Sequence, residues 1–242
     1  MMKRFFNNLI VFILFGIANG CNSQELDYSL ASKYGTFKYS VIDTNTVKDF
    51  LKVCDKEIPI ICNELNIDYE NSIIIEIYPN QEKYNYSIIN SDLKNSPAIS
   101  GDNRIQLVSP LSPLEVEKKI GTVKYSDRMN FLIHEYVHIL IDRLEYPPPL
   151  CIDEGIASFY SSRGFYLDMA TRYVKQINYI PSIEELIANY NKIPAPDLFS
   201  FLLIDYIVQS QGKEKLGDII RQSSYIKQFN DKWNEYVKNK YY

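Results

Sequence analysis

Asp127-Arg128-Met129-Asn130-Phe131-Leu132-Ile133-His134-Glu135-Tyr136-Val137-His138-Ile139-Leu140-Ile141-Asp142-Arg143-Leu144 is the stretch on which the reading of this chain turns. Met129, Leu132, Ile133, Tyr136, Val137, Leu140, Ile141 and Leu144 alternate spacings of three and one, the signature of one apolar helical face. Ser126 or Asp127 suits the N-cap, and Pro147-Pro148-Pro149 stops the helix and stiffens the connection after it. His134 and His138 are four residues apart, so both side chains leave the same face with Cβ atoms about 6 Å apart. Two imidazoles so placed can converge on one Zn²⁺ ion. Glu135, one residue beyond the first imidazole, is placed to take a proton from a water rather than to bind the metal.

The chain holds only two histidines. Chance puts two residues four apart about once in 120 placements, and a Glu after the first lowers this to roughly one in two thousand. A catalytic zinc takes three protein ligands and leaves one position open. With no third histidine, the candidate is Glu154, sixteen residues after His138 in Cys151-Ile152-Asp153-Glu154-Gly155-Ile156-Ala157-Ser158-Phe159. A second helix is expected from about Asp153 to Arg163, folded back on the first by the prolines. Gly155 would let the backbones approach closely. Asp153 is the main rival as third ligand and Cys151 a more distant one. Neighbouring groups are expected to orient the imidazoles, and Asp142, one turn past His138, is a candidate for that or an ordinary surface acid.

Upstream, residues 44–66 repeat apolar positions at three and four and predict a helix. Ser72–Tyr78 is β-branched and ends at Pro79-Asn80, and Arg104–Ser109 alternates between Gly101-Asp102-Asn103 and Pro110, so both predict strands. Gln81–Ser100 is polar and loop-like. Downstream, helices are expected near 182–190, 197–211, 213–222 and 225–239. Mixed α/β character followed by helix alone gives an α+β fold of two lobes meeting near residue 125. The 242 residues, 46% apolar and 14% aromatic, suffice for a real core. The net charge of −4 argues against a nucleic-acid partner, which needs clustered Lys and Arg.

The N-terminus reads as an export signal over 1–20. Lys3 and Arg4 precede the apolar run Leu9–Ile17, which is too short to stay in a bilayer as a spanning helix. Ala18-Asn19-Gly20-Cys21 resembles a lipobox, with Cys21 the lipidated residue, although Ala18 stands where Leu is usual. A tether over 21–33 would hold the protein at a bacterial envelope; without lipidation it would be secreted. Cys54, Cys62 and Cys151 remain, an odd number. On one straight helix Cys54 and Cys62 would lie about 12 Å apart, too far to bridge unless Pro59 bends the chain.

His134-Glu135-x-x-His138 followed by Glu154-Gly155-Ile156-Ala157-Ser158 resembles the gluzincins, the group of thermolysin and the zinc aminopeptidases, and more narrowly the short bacterial peptidase MA-like domains. The similarity runs from about Tyr34 to the C-terminus. It takes in Pro97-Ala98-Ile99-Ser100-Gly101, Leu107-Val108-Ser109-Pro110 and Gln211-Gly212-Lys213-Glu214-Lys215-Leu216. It implies a zincin-like domain over 34–242, with an α/β lobe of about 34–124, a helical lobe of about 125–242 and one zinc ion between them. It makes His134, His138 and Glu154 ligands, Glu135 the general base, and 104–109 an edge strand along which a peptide lies extended. The implied activity is peptide hydrolysis, as an endopeptidase, because the Gly-x-Met-Glu-Asn loop of the aminopeptidase branch is missing. That branch's oxyanion-stabilising Tyr is also missing, near Pro196-Asp197-Leu198-Phe199-Ser200; Tyr206, Tyr190 and Arg163 are the substitutes on offer. The alternatives are an inactive zinc-binding envelope scaffold and a zinc amidase acting on cell-wall material.

Overall fold

The computed structural model describes residues 26–69, 72–88, 94–115 and 117–242. The leader, Cys21 and the first part of the tether lie outside these. The described chain begins with a hairpin, β1 (Tyr28–Ser32) and β2 (Gly35–Tyr39), in the stretch assigned to the tether and just after it. Helix α1 (Thr44–Leu65), strand β3 (Ile74–Tyr78), the short α2 (Gln81–Ser87), and strands β4 (Ala98–Gly101) and β5 (Arg104–Val108) come next. A short α3 (Glu117–Ile120) precedes the long α4 (Tyr125–Asp142) and α5 (Leu150–Ile177). The chain ends with α6 (Ile183–Asn189), α7 (Pro196–Gln211), α8 (Leu216–Arg221) and α9 (Asn230–Tyr241). Among the described residues no helix is long and apolar enough to cross a membrane.

The five strands form one sheet in the order β1-β2-β3-β5-β4. β2, β3 and β5 run parallel, and the two outer strands run antiparallel to their neighbours. Strand alternation puts Phe37, Ile75 and Ile105 in one row, and Tyr39, Ile77, Leu107 and Ala98 in the next. These side chains are buried and form a single core with the apolar faces of α1 and α4. Glu76 and Gln106 point to the other face, where Glu76 accepts from Arg104 and Gln106. The two lobes therefore share one core, and α4 is the element they have in common.

The edge strand differs from expectation. Residues 104–109 do not form the edge: β5 lies between β3 and β4, and it is β4, within the stretch 81–100 expected to be a loop, that ends the sheet. The turn that joins them explains why. Asp102 and Asn103 have φ of 50° and 57°, as a two-residue type I′ hairpin turn requires. The same stretch also contains α2, capped by the Asn80 side chain, which accepts from Lys83 N.

In the helical part, α7 is buried from Leu198 to Ile207 and is the central helix. α5 lies directly on it. A Cβ on Gly155 would stand 2.5 Å from the Ser200 carbonyl oxygen, so glycine is what allows this approach. α5 begins at Leu150, earlier than expected, and runs past Arg163 to Ile177 through a kink at Ser162 (φ −140°, ψ 31°). The expected helix at 213–222 is a 3₁₀ turn followed by α8, and that at 225–239 is a 3₁₀ turn leading into α9. Cys54, Cys62 and Cys151 are buried free thiols, the first two both within α1.

Candidate metal centre

α4 presents His134 and His138 one turn apart at the junction with β4 and α5. Their rings meet nearly at right angles, 79°, with centroids 4.7 Å apart. The triproline passage brings α5 back against α4, with Ile152 N and Asp153 N both donating to the Pro149 carbonyl. Glu154 falls in the second turn of α5, on the side that faces the imidazoles. His134 Nε2 and His138 Nε2 stand 3.1 Å apart, and Glu154 Oε2 lies 3.4 Å from the first and 3.7 Å from the second.

These three separations test whether an ion fits. A tetrahedral ion about 2.0–2.1 Å from each donor separates the donors by about 3.3–3.4 Å. The observed 3.1, 3.4 and 3.7 Å bracket that value. His134, His138 and Glu154 together can hold a metal ion. The outward nitrogens of both rings are engaged. His138 Nδ1 lies 2.8 Å from Asp153 Oδ1 and His134 Nδ1 lies 3.4 Å from Ser161 Oγ. A carboxylate only accepts, so Nδ1 of His138 carries a proton, and Nε2 is the nitrogen that turns inward. Asp153, the rival third ligand, is thus occupied as the partner of His138. Cys151 is fully buried, and burial pushes its thiol up to about 12.

The electrostatics favour a cation. Burial alone would lower the His138 pKa, but the hydrogen bond to Asp153 and the charges of Asp153, Glu154 and Glu135 raise it to about 9. For Glu154, burial acts to raise the pKa, and the His134 hydrogen bond with the two imidazoles outweighs it, so the net shift is downward. The potential that holds a proton on one and expels it from the other also attracts a metal cation. Asp142 is exposed on the rim of the same cleft.

Glu135 points into a cleft of about 400 Å³ beside the two histidines and Glu154. It is buried, with 9% exposure, and its Oε2 accepts from Ser100 Oγ at 2.7 Å. Ser100 had no role in the sequence pattern. The signal that would have exposed it is the Asp102-Asn103 turn, which makes Ala98–Gly101 a strand and sends alternate residues to the α4 side.

The three substitutes for the oxyanion donor are held apart from this geometry or engaged elsewhere. Tyr206 is buried among Phe229, Trp233 and Tyr236, with ring centroids 4.8–6.2 Å away. Arg163 donates to Asp205 through Nε at 3.2 Å and Nη2 at 2.9 Å and lies over the Phe159 ring. Tyr190 donates to Asp197; burial, Asp197 and the Glu154 charge all raise its pKa. Tyr166, which the sequence did not single out, also feels the Glu154 charge; burial is the main cause that takes it up to about 12. Its ring stacks on Phe201.

No protein-family model matches the chain, and no curated protein matches it either.

Proposed function

We propose that this chain is a zinc-dependent peptidase of the gluzincin type that hydrolyses peptide bonds, most simply as an endopeptidase. The observation that carries the reading is the set of three donors at tetrahedral spacing with a buried carboxylate, Glu135, adjoining them in the same cleft. His134, His138 and Glu154 would hold one zinc ion. Two imidazoles and a carboxylate are a donor set that zinc takes at catalytic sites, with one position left for substrate or water. When bound, zinc supplies Lewis-acid polarisation of a carbonyl and lowers the pKa of water.

Glu135 then accepts a proton from the attacking water and delivers it to the leaving amine, as general base and then general acid. Asp153 holds the His138 ring in the tautomer that presents Nε2 to the ion. β4, as the sheet's outer strand, offers the backbone along which an extended peptide pairs. Lipid on Cys21 would keep the enzyme at the envelope, and a Cys21→Ser chain recovered in the membrane fraction would contradict that assignment.

One observation favours the inactive scaffold: Arg163 and Tyr190 already donate to Asp205 and Asp197, and the Tyr206 ring is packed among aromatic side chains. Glu135→Gln separates the readings. The peptidase reading expects one zinc per chain in both proteins and a loss of at least about 10³-fold in turnover of a quenched peptide library in the variant. Wild-type protein that carries zinc and cleaves nothing would leave the scaffold.

A further inference from the structure

β4 brings a hydroxyl and a backbone edge to the same place. Its register against β5 pairs Ala98 with Leu107 and Ser100 with Ile105. Ala98 is buried, and Ser100 sends its Oγ to Glu135 on α4. Ile99 points the other way, into a small cluster with Val108, Tyr84 and Leu114. Side chains of Ala98 and Ser100 therefore share the α4 face.

The backbone alternates as well. Val108 N donates to the Pro97 carbonyl at 3.0 Å, so Pro97, Ile99 and Gly101 are the residues whose backbone groups face β5. Ala98 and Ser100 turn their N–H and C=O toward the outer edge. The Ala98 carbonyl confirms it by accepting from Ser96 Oγ at 2.7 Å, away from β5. Among the described residues no further strand pairs with that edge.

We infer that Ser100 is a positioning residue that ties the base to the substrate edge. Its hydroxyl fixes Glu135 Oε2, which leaves Oε1 to handle the water proton. Its backbone N–H and C=O pair with an extended peptide. One residue then sets the distance between the base and the bond to be cut, because side chain and main chain leave the same Cα. A hydroxyl that donates to a carboxylate also locks that carboxylate's rotamer, which packing alone leaves free to rotate. The inference rests on the reading of Glu135 as general base.

The test uses the full chain loaded with zinc. Ser100→Ala should keep one zinc per chain, lower kcat by about tenfold and change KM by less than about twofold, since the backbone edge is untouched. Ser100→Thr keeps the hydroxyl and should restore most of kcat. A second readout needs no turnover: in metal-free protein, Ser100→Ala should lower Tm in the wild-type background and leave it unchanged in a Glu135→Ala background. An unchanged kcat in Ser100→Ala, an equal loss in Ser100→Thr, or the same Tm change in both backgrounds would overturn the inference. If Glu135→Gln itself turns over at the native rate, the base assignment has failed and Ser100 falls with it. A dead Glu135→Gln beside an unaffected Ser100→Ala removes the Ser100 role alone.

Discussion

Two carboxylates on neighbouring helices, Glu154 on α5 and Asp205 on α7, are surrounded by nitrogen atoms in opposite ways. Asp205 is fully buried and accepts from Arg163, Gln209, Tyr236 and Lys240, with two permanent cations among its four partners. Its oxygens are satisfied by the chain itself, and the group ties α5, α7 and α9 together. Glu154 keeps a quarter of its side chain exposed, and the nitrogens around it are two imidazoles at 3.4 and 3.7 Å, longer contacts than those made to Asp205. The difference is between a closed polar network, which fixes a fold, and an open one, whose donors converge on a point. Arg163 belongs to the first region, which is why it is not free to serve the second; the Tyr206 ring packs beside that region, against Tyr236.

Substitutions should separate the two regions. Structural zinc sites bind with about 10–16 kcal/mol over three or four ligands, so one ligand is worth about 3–4 kcal/mol. Glu154→Ala should therefore weaken zinc several hundredfold in competition with a chelating dye, while metal-free unfolding in urea stays close to wild type. Asp205→Ala should do the reverse. It leaves Arg163 and Lys240 without their carboxylate and should lower stability by about 2–3 kcal/mol in the same urea series, with zinc affinity unchanged. That cost is held below the range for a fully buried pair because both cations reach solvent. If Asp205→Ala lost zinc as severely as Glu154→Ala, the two regions would be one. The smallest effect sharpens the boundary of the open region. Asp153→Asn keeps the size of the side chain but weakens its hold on His138 Nδ1, and zinc affinity should fall about 10–100-fold. An unchanged affinity would reduce Asp153 to a helix-start acid.

How far these regions could be read from the sequence depended on whether the signal was local. The α4 face was legible because period and motif coincide there, and the observed helix starts two or three residues before the expected one, with Lys124 as N-cap. Glu154 was legible by elimination. Asp205 was not, since apart from Gln209, one helical turn on, its partners come from 31 to 42 residues away and no local pattern marks them. β1 and β2 were missed because the turn Lys33-Tyr34 carries none of the usual hairpin residues. The extension of α5 beyond Arg163 was missed because it depends on a kink at Ser162, after which Ala170 and Val174 resume burial on a new axis. Ser100 needed both a strand assignment and the tertiary contact with α4, and Ala98-Ile99-Ser100-Gly101 is too short to show an alternation.

The central claim is that one zinc ion is held by His134, His138 and Glu154. Anomalous diffraction from zinc-soaked crystals, recorded on either side of the zinc absorption edge, tests it directly. A single peak about 2.0–2.2 Å from Nε2 of both histidines and from a Glu154 carboxylate oxygen is the predicted result. A map with no peak there, or with the peak ligated by Asp153 in place of Glu154, would contradict it.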